Sequence, residues 1–490
     1  MNFFFHETKI SQIFSVGCFL LILIISAEAQ ERFRRSPPYP EPLDRLELPS
    51  PDSVQLSNGL VLSVISKNSL PIVSIKLVIL AGESLSPDNL PGTAGITAAM
   101  MTRGNSDYSS TKLAEVIESF GGRLSVSTNL DYSMVSFSFL EEYIDQALSV
   151  LSSIILKPSF SRREVENIKR TIFYDLVDKF NNPTYIAKHL LYKILFQNHP
   201  YQKGAISEVT ATGITQRDIS QFYNTYYRPN NAVLVLTGNF NLSVASRKVS
   251  HFFNTWQRKN VEKSFIPMPE PQKRVKICFV DKPNAQDATI MMGNIIMPIT
   301  SPDFFPITVM NQVLGGTPTS RLFLNLRESK RYAYEAFSEL EFYQRCGVLL
   351  IRVRVLPEKV HQSIEECLKE LSDISREKPK SYDIEQAKSY LIGNFPLYFE
   401  TYDDLSFRAS ERLTYGLGRE HWNKYYDTIM GVNSEEVFET AKRYSLYTPA
   451  VIIIGDKTLI IDDLSNAFNE VEVYNTKGEL QYVVKKGEIT

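Results

Sequence analysis

The chain lacks the charge imbalance and the short motifs that mark several common classes of enzyme and nucleic-acid-binding protein. Its 490 residues carry 53 Lys and Arg against 55 Asp and Glu, and the net charge of −2 gives no electrostatic reason to bind nucleic acid or an anionic membrane. No G-x-S-x-G, G-x-G-x-x-G or P-loop motif occurs. The sequence therefore indicates neither a serine nucleophile on a strand-to-helix turn nor a glycine-rich phosphate-binding loop.

Cysteine and histidine are scarce as well. Three cysteines follow residue 29, namely Cys278, Cys346 and Cys367, and no C-x-x-C occurs. This pattern indicates neither a disulfide framework nor a thiolate zinc site, and it leaves open one disulfide or three buried thiols. The five histidines after residue 29 are never three or four residues apart, so no helix presents the imidazole pair that a zinc helix needs.

An export signal is indicated at the N-terminus. Residues 13–25 form an apolar run that is too short for an ordinary membrane span, and residues 26–29 have the small-x-small form of a signal-peptidase site. We expect residues 1–29 to be a signal peptide cut after Ala29, an exported protein that is periplasmic or secreted, and no membrane span after cleavage. The weakly basic start leaves an uncleaved anchor as the alternative. Residues 30–52 are rich in proline and charge and predict an extended arm.

The remaining length predicts two or more domains, and the sequence indicates a duplication. A strand pattern begins at residue 54 and again near residues 275–280, after a segment with three prolines at residues 265–271. The sequence Ser-Pro-Asp-x-x-Pro at residues 86–91 recurs 215 residues later at residues 301–306. A match this short is weak evidence by itself, but its offset is repeated near the ends of the two halves.

Each half ends with the same succession of elements. Thr215-x-x-Asp218 and Asn433-x-x-Glu436 both predict helix-capping boxes, and buried strands begin 218 residues apart at Ala232 and Ala450. The matching order predicts an α+β protein of two homologous domains, each with a largely antiparallel sheet covered by helices. The predicted divisions are a first domain at residues 53–264, a linker at 265–272 and a second domain at 273–490.

A helix with a blank motif carries the first resemblance to a known family. Residues 92–101 read Gly-Thr-Ala-Gly-Ile-Thr-Ala-Ala-Met-Met. They resemble the active-site helix of the pitrilysin/insulinase-type (inverzincin) zinc peptidases, roughly G-T-A-H-F-L-E-H-M, in which the histidines of H-x-x-E-H bind zinc and the glutamate is the general base. The three positions hold Gly95, Ala98 and Ala99, which can neither bind a metal nor accept a proton from water.

The same resemblance places a third zinc-ligand position at Asp175. In the family this ligand is a glutamate 76 residues beyond the second histidine, and the segment at residues 169–176 resembles the helix that carries it. Asp175 is one methylene shorter than glutamate and has no imidazole partners, so the alternative is a solvated or salt-bridged helix carboxylate. We expect no metal on this chain. The resemblance covers about residues 48–473 and implies two domains that face each other as half of a peptidase chamber.

A second segment retains the residues of the family. Gly315-Gly316-x-x-x-Ser-Arg-Leu-Phe-x-x-Leu-Arg-Glu leads to Tyr332-Ala-Tyr and resembles the family's G-G-x-x-S-R-L-F-x-x-L-R-E-x-x-x-x-[AT]-Y. By position, Arg327 and Tyr334 match an arginine and a tyrosine that, in active members, reach the zinc site of the opposite domain and hold the substrate carbonyl. The alternative is structural, with Arg327 capping a helix or pairing with a carboxylate and Tyr334 lying at the edge of the core.

Two further features follow from the resemblance. The Gly315-Gly316 turn is similar to a substrate-handling loop of the non-catalytic subunit of mitochondrial processing peptidase, but it is shorter and has less glycine. Family members also bind peptide as an added strand at a sheet edge near the active site, and the corresponding edge here is expected at residues 81–84.

The resemblance implies a catalytically silent subunit, like the helper subunits of two-subunit family members and of mitochondrial processing peptidase. It implies a heterodimer with a homologous subunit that bears H-x-x-E-H and zinc, to which this chain supplies Arg327 and Tyr334. The complex is expected to be a metalloendopeptidase for peptides or unfolded polypeptides. The alternative is a non-enzymatic peptide-holding or scaffold protein, and independent hydrolysis through another site is a third hypothesis.

Overall fold

The computed structural model describes residues 46–486 except residues 205, 263, 264, 445 and 447. The predicted signal peptide and most of the predicted arm, residues 30–45, lie outside this part of the chain. Among the described helices, none has both the length and the apolar character that crossing a bilayer requires.

The first half of the chain builds a six-stranded sheet in the spatial order β1-β2-β6-β3-β5-β4. Its strands are β1 (Asp52–Gln55), β2 (Val61–Ser66), β3 (Ile72–Ile79), β4 (Arg123–Thr128), β5 (Ser133–Leu140) and β6 (Ala232–Gly238). The last strand, β6, lies between β2 and β3, parallel to β2 and antiparallel to β3. The other pairs are antiparallel, as predicted.

The first half also forms eight helices in the described residues. They are α1 (Thr93–Met100), α2 (Ser110–Ser119), α3 (Ile144–Leu156), α4 (Arg162–Lys179), α5 (Pro183–Leu195), α6 (Glu208–Gly213), α7 (Gln216–Tyr226) and α8 (Leu242–Phe253). The predicted capping box at the start of α7 is present. The side chain of Thr215 accepts a hydrogen bond from the backbone N–H of Asp218, and the Asp218 carboxylate accepts one from the backbone N–H of Thr215.

The second half repeats this plan with a seven-stranded sheet in the order β13-β12-β7-β11-β8-β10-β9. Its strands are β7 (Lys276–Asp281), β8 (Ala288–Ile296), β9 (Ala333–Phe342), β10 (Gly347–Val355), β11 (Ala450–Gly455), β12 (Glu470–Tyr474) and β13 (Leu480–Lys485). Strand β11 lies between β7 and β8, as β6 lies between β2 and β3, and it is likewise parallel to the first neighbour and antiparallel to the second. The predicted duplication is confirmed.

The helices of the second half complete the α+β architecture. They are α9 (Phe304–Leu314), α10 (Arg321–Phe323), α11 (Val360–Arg376), α12 (Ser381–Asn394), α13 (Tyr402–Tyr415), α14 (Tyr425–Gly431), α15 (Ser434–Arg443) and α16 (Lys457–Ala467). Asn433 and Glu436 form the second predicted capping box, at the start of α15. The strands of the two sheets fall on opposite sides of the predicted linker, while the domain boundaries themselves stay a prediction.

The two halves exchange one helix each. Helix α5 of the first half packs on β8 and β11 of the second sheet, whereas α13 of the second half packs on β3 and β6 of the first sheet. Gly293 of β8 makes room for α5, because a Cβ there would lie 2.7 Å from a methyl carbon of Leu191. Ser406 of α13 donates a hydrogen bond of 2.7 Å to the Thr237 hydroxyl of β6. Each sheet is therefore covered on one face by the other half.

This exchange explains why β6 and β11 have no polar face. Leu234 and Leu236 of β6 face the core of the first half, whereas Val233 and Val235 face the side covered by α13. Both faces of the strand are therefore buried, and β11 is buried along its whole length in the same way. The continuous apolar runs in the sequence follow from this double coverage.

Buried polar groups also join the halves. Asp131, in the β4–β5 turn, accepts hydrogen bonds from the Tyr201 hydroxyl at 2.6 Å and from the backbone N–H of Gln344 at 2.8 Å. Burial raises the pKa of the Asp131 carboxyl, although the hydrogen bonds from Tyr201, Gln344 and Tyr415 act in the opposite direction. The partners belong to the first half, the β9–β10 turn and α13, so this carboxylate fixes three segments together.

The three cysteines in the described part of the chain are buried free thiols. Cys278 lies on β7, Cys346 in the β9–β10 turn and Cys367 on α11. Burial raises the pKa of each thiol, which keeps it in the unreactive protonated form. Of the two outcomes left open by the sequence, the structure has the three free thiols.

The exchanged helix α13 carries a testable ion pair. Lys76 of β3 has only 4% of its side chain exposed, and its ammonium donates to Asp403 of α13 at 2.6 Å. We expect Asp403→Ala to lower the free energy of unfolding by about 2 kcal/mol, because it leaves a buried ammonium without its counter-ion. Urea denaturation followed by circular dichroism measures the change. Adding Lys76→Met to Asp403→Ala should recover at least half of the lost stability. The control is Glu400→Ala, which removes an exposed carboxylate nearby and should have no effect. Equal losses of stability for Asp403→Ala and Glu400→Ala would refute the pairing.

A buried histidine on the other exchanged helix, α5, should make the free energy of unfolding depend on pH. His189 packs against the rings of Phe180 and Tyr185, and burial, together with the nearby Lys193 ammonium, lowers its pKa from 6.5 to about 4. Between these pH values the unfolded chain binds a proton that the folded chain does not, so stability is full above pH 6.5 and falls as the pH drops towards 4. The loss at pH 4 is at most about 3 kcal/mol.

We therefore expect His189→Phe to show a smaller drop in the free energy of unfolding between pH 7 and pH 4 than the unchanged protein. The aromatic replacement keeps the ring contacts and removes the titrating group. Chemical denaturation at a series of pH values measures both curves. His251→Phe, at an exposed position on α8, is the control and should retain the original dependence. Parallel curves for His189→Phe and the unchanged protein would contradict the assignment.

Candidate functional site

The blank motif lies on α1, which begins directly after Gly92. Gly92 has a φ of 97°, and a Cβ there would lie 2.2 Å from the terminal methyl of Ile206, so the turn into the helix requires glycine. Nearly all of α1 is buried, and the helix packs against α4, α7 and β4. The sequence therefore forms the expected helix in the expected setting.

A carboxylate from outside the helix occupies its first turn. The Glu83 side chain accepts hydrogen bonds from the backbone N–H of Gly95 at 2.8 Å, from the backbone N–H of Gly92 at 3.1 Å and from the Ser86 hydroxyl at 2.9 Å. These N–H groups are among those that a helix N-terminus leaves unpaired, and the helix dipole favours an anion there. Burial raises the pKa of the Glu83 carboxyl, although the hydrogen bonds and the Lys203 ammonium lower it.

The position of this carboxylate explains why residue 95 is a glycine. An added Cβ on Gly95 would lie 2.7 Å from Glu83 Oε1, which is shorter than ordinary Cβ contacts. Ala98 is buried and Ala99 is partly buried against the core of the first half. The three blank positions are therefore parts of a packed helix whose N-terminus is satisfied from within the chain.

Asp175 lies on α4, the helix that packs against α1, but its carboxylate is directed elsewhere. It forms an ion pair of 2.7 Å with Lys179 one turn later, and 54% of its side chain is exposed. This geometry corresponds to the salt-bridged helix carboxylate that the sequence left as the alternative reading.

The residues at these positions do not fit a zinc ion. Zinc in proteins is bound by imidazole, thiolate or carboxylate groups in a tetrahedral set. Of the four positions only Asp175 carries such a group, and it is paired with Lys179. Across the described residues, no three His, Cys, Asp or Glu side chains come together as metal ligands would.

Arg327 lies in a π-helical turn, Leu324–Ser329, that continues α10. Half of its side chain is exposed, its guanidinium lies 4.8 Å from the centre of the Phe323 ring, and its nearest carboxylate, that of Glu328, is 3.9 Å away. The guanidinium is thus oriented by a ring contact but not bound in a close ion pair. π-Helical turns of this kind recur at functional sites in proteins.

Tyr334 lies at a bulge in the edge strand β9. Arg354 of β10 is opposite Glu335 and Val355 is opposite Ala333, so Tyr334 is the extra residue. Its side chain is 49% exposed, and the Arg354 guanidinium lies 5.3 Å from its ring centre. A half-exposed ring agrees with a side chain that is available to a ligand and equally with the core-edge position of the structural alternative, so the role of Tyr334 stays a prediction.

The Gly315-Gly316 turn is held tightly against β9. The Gly315 carbonyl accepts a hydrogen bond from the backbone N–H of Ser338 at 2.9 Å. A Cβ on Gly315 would lie 2.5 Å from that nitrogen, and one on Gly316 would lie 2.5 Å from the side-chain oxygen of Gln312. The close packing of this turn accounts for both glycines.

Residues 81–84 do not provide the sheet edge that the sequence suggested. Ala81 is buried, and the backbone N–H groups of Glu83 and Ser84 already donate to the carbonyls of Asn129 and Leu130 at 2.9 and 3.0 Å. The segment then turns into a short 3-10 helix. The edge beside α1 is β4 instead, which pairs only with β5 in the described part of the first sheet.

Comparison with known proteins agrees with this geometry. A family model described as "Insulinase (Peptidase family M16)" matches residues 62–208, and one described as "Peptidase M16 inactive domain" matches residues 213–391. Together they span most of the described chain. The chain belongs to peptidase family M16.

Individual M16 relatives carry names of both active and inactive proteins. A Bacillus subtilis protein named "Uncharacterized zinc protease YmxG" is 23% identical, covering 81% of this chain and 96% of that protein. A "Non-peptidase homolog YmxG" of Helicobacter pylori is 24% identical, covering 68% and 77%. "Mitochondrial-processing peptidase subunit alpha" of Rattus norvegicus is 21% identical, covering 82% of each chain.

A solved structure shows the same fold. The "peptidase M16 inactive domain" from Pseudomonas fluorescens superposes with a TM-score of 0.78 at 20% identity, covering 83% of this chain and 98% of that one. With Gly95, Ala98 and Ala99 at the motif positions, the chain is an inactive homologue in the M16 family.

The position of the Glu83 carboxylate beside Gly95 predicts how an added methyl group at Gly95 changes stability. Glycine inside a helix normally costs about 0.5 to 1 kcal/mol relative to alanine, so glycine-to-alanine changes usually stabilise. We expect Gly95→Ala instead to lower the free energy of unfolding by about 1 to 3 kcal/mol, because the added methyl contacts the carboxylate. The matched control is Gly393→Ala on α12, where an added Cβ meets nothing within 4 Å. This substitution should raise the free energy of unfolding. Thermal and urea denaturation measure both variants. An increase in stability for Gly95→Ala as well as for Gly393→Ala would contradict the prediction.

Proposed function

We propose that this chain is the non-catalytic subunit of a two-subunit M16-type zinc endopeptidase. It pairs as a heterodimer with a homologous subunit that carries H-x-x-E-H, and it supplies Arg327 and Tyr334 to the zinc site of that partner. The proposal is carried by the contrast between the halves. The motif positions on α1 are blank and packed, whereas Arg327 and Tyr334 are half-exposed in the segment that retains the family sequence.

The two side chains suit oxyanion stabilisation. A guanidinium and a phenol are fixed hydrogen-bond donors that polarise a carbonyl and stabilise the negative charge that develops on its oxygen. Such donors must be free to reach the substrate. With its nearest carboxylate at 3.9 Å, Arg327 retains donors for a ligand, and the bulge at Tyr334 places its ring outside the ladder of β9.

Substrate binding in this proposal uses the edge strand β4. Its residues alternate between exposed and partly buried, from Arg123 to Thr128, and the strand lies beside α1. An extended peptide can add to such an edge through backbone hydrogen bonds that do not depend on sequence. The substrate class is therefore an extended peptide or an unfolded polypeptide.

The relatives support the pairing. The Rattus norvegicus relative is by its name the subunit alpha of a processing peptidase, and the Helicobacter pylori relative is by its name a non-peptidase. A silent chain of the same fold that retains Arg327 and Tyr334 matches the helper role in such a complex. Zinc belongs to the partner in this proposal. The complex is proposed to be periplasmic or secreted, which rests on the apolar run at residues 13–25 of the sequence.

The second candidate is a non-enzymatic peptide-holding or scaffold protein. The internally satisfied N-terminus of α1 favours it, because Glu83 turns the former catalytic helix into a structural element. A scaffold needs the fold and the β4 edge but has no use for Arg327. Variants at Arg327 therefore separate the two candidates.

The test combines the chain with an H-x-x-E-H homologue encoded beside it. We expect cleavage of quenched peptides by the mixture only, and loss of that cleavage with a chelator. Arg327→Ala and Tyr334→Phe should each lower kcat by about 10²- to 10³-fold, since each removes a donor to the oxyanion. Co-elution of the two subunits should be unchanged.

Matched controls are Arg376→Ala and Tyr382→Phe, two exposed side chains on α11 and α12, which should leave kcat unchanged. Full activity of the partner alone would refute the helper role. Co-elution with no dependence of cleavage on Arg327 or Tyr334 would favour the scaffold, and chelator-sensitive cleavage by this chain alone would overturn both candidates.

A further inference from the structure

The first turn of α1 contains a built-in carboxylate where the family places its first zinc ligand. That ligand position is Gly95, and the direction in which its side chain would leave the helix is occupied by Glu83 Oε1, 2.7 Å from the Cβ site. A histidine at this position would have to displace the carboxylate before it could bind anything.

The carboxylate is held in place from several sides. Both of its oxygens accept hydrogen bonds, one from the N–H of Gly95 and the other from Gly92 and Ser86. Ser86 in turn accepts a hydrogen bond of 3.0 Å from the backbone N–H of Ala94. Displacing Glu83 would therefore leave the N–H groups of Gly92 and Gly95 without this partner inside the protein, which costs free energy.

The backbone on either side of Glu83 is fixed as well. Its own N–H donates to Asn129, and the Lys203 ammonium donates to the carbonyls of Ser84 and Ser86 at 3.2 and 2.7 Å. The short 3-10 turn that carries Glu83 is thus pinned by the β4–β5 loop and by a lysine from the segment after α5. The carboxylate cannot be moved aside by a simple shift of its backbone.

We propose that Glu83 is a positioning residue that closes the metal position of α1, so that restoring the three missing ligands does not restore metal binding while Glu83 remains. The inability of α1 to bind a metal is therefore due to Glu83 at its first turn as well as to the missing ligand side chains. This inference concerns the isolated chain and does not depend on a partner subunit, so its failure leaves the proposed function untouched.

The first test rebuilds the ligands on the full mature chain. One variant carries Gly95→His, Ala99→His and Asp175→Glu, and a second adds Glu83→Ala. The probe is Co²⁺ alone, whose absorption reports tetrahedral binding, with Zn²⁺ affinity measured by calorimetry. We expect the variant with Glu83→Ala to bind one ion about 10- to 100-fold more tightly than the variant that retains Glu83. The control adds Glu118→Ala, an exposed carboxylate on α2, and should bind as weakly as the first variant.

Equal metal affinities of the variants with and without Glu83 would overturn the proposal, as would failure of both folded variants to bind a metal.

A second measurement does not require the rebuilt site. Gly95→Ala should lower the thermal midpoint in the unchanged background and raise it in the Glu83→Ala background, because the methyl then enters vacated space. The same direction of shift in both backgrounds would show that Glu83 does not occupy the ligand position.

Discussion

Each sheet of this protein depends on a helix that the other half of the chain supplies. Strand β6 is buried on both faces only because α13 covers one of them, and β11 has the same relation to α5. The buried ammonium of Lys76 and its partner Asp403 lie in this exchange, so the first half takes the counter-ion of a buried charge from the second. An apolar strand without its second cover would expose a hydrophobic face to water. The two-sheet frame is therefore one cooperative structure, although its sequence is duplicated.

That interdependence explains how the frame can persist after the chemistry is lost. Helix α1 packs on the first-half core and β4 largely through residues other than the three motif positions, and Ala98 and Ala99 add small apolar side chains to that packing. With Gly95 and Ala99 at the two histidine positions and Ala98 at the glutamate position, the helix offers no metal ligand, yet its buried side still packs on the core. The remaining problem is the set of unpaired N–H groups at the start of the helix, and Glu83 supplies the acceptor for two of them. The former catalytic helix thereby becomes an ordinary structural helix.

The sequence predicted what local patterns determine. The capping boxes at Thr215 and Asn433, the strands that begin at Ala232 and Ala450 and the duplicated order of elements all follow from side chains close together in the chain. It did not predict the helix exchange, because an amphipathic pattern does not say which sheet a helix covers. It also missed Glu83, whose role depends on a contact twelve residues away with a glycine that has no side chain. It expected a free sheet edge at residues 81–84, whereas the edge strand beside α1 is β4. These features are set by packing between distant segments.

The two regions that resemble the family's site differ in what their residues contribute to stability. At α1, glycine and alanine fit a packed helix, and a carboxylate satisfies its N-terminus, so every residue there has a structural reason. At the start of β9, the opposite holds. The bulge at Tyr334 interrupts the strand ladder, Arg327 gains only a ring contact and an exposed carboxylate at 3.9 Å, and both side chains are half in water. The proposed function gives these two half-exposed side chains a role that their few contacts in the fold do not, namely donation to a substrate carbonyl at the zinc site of a partner.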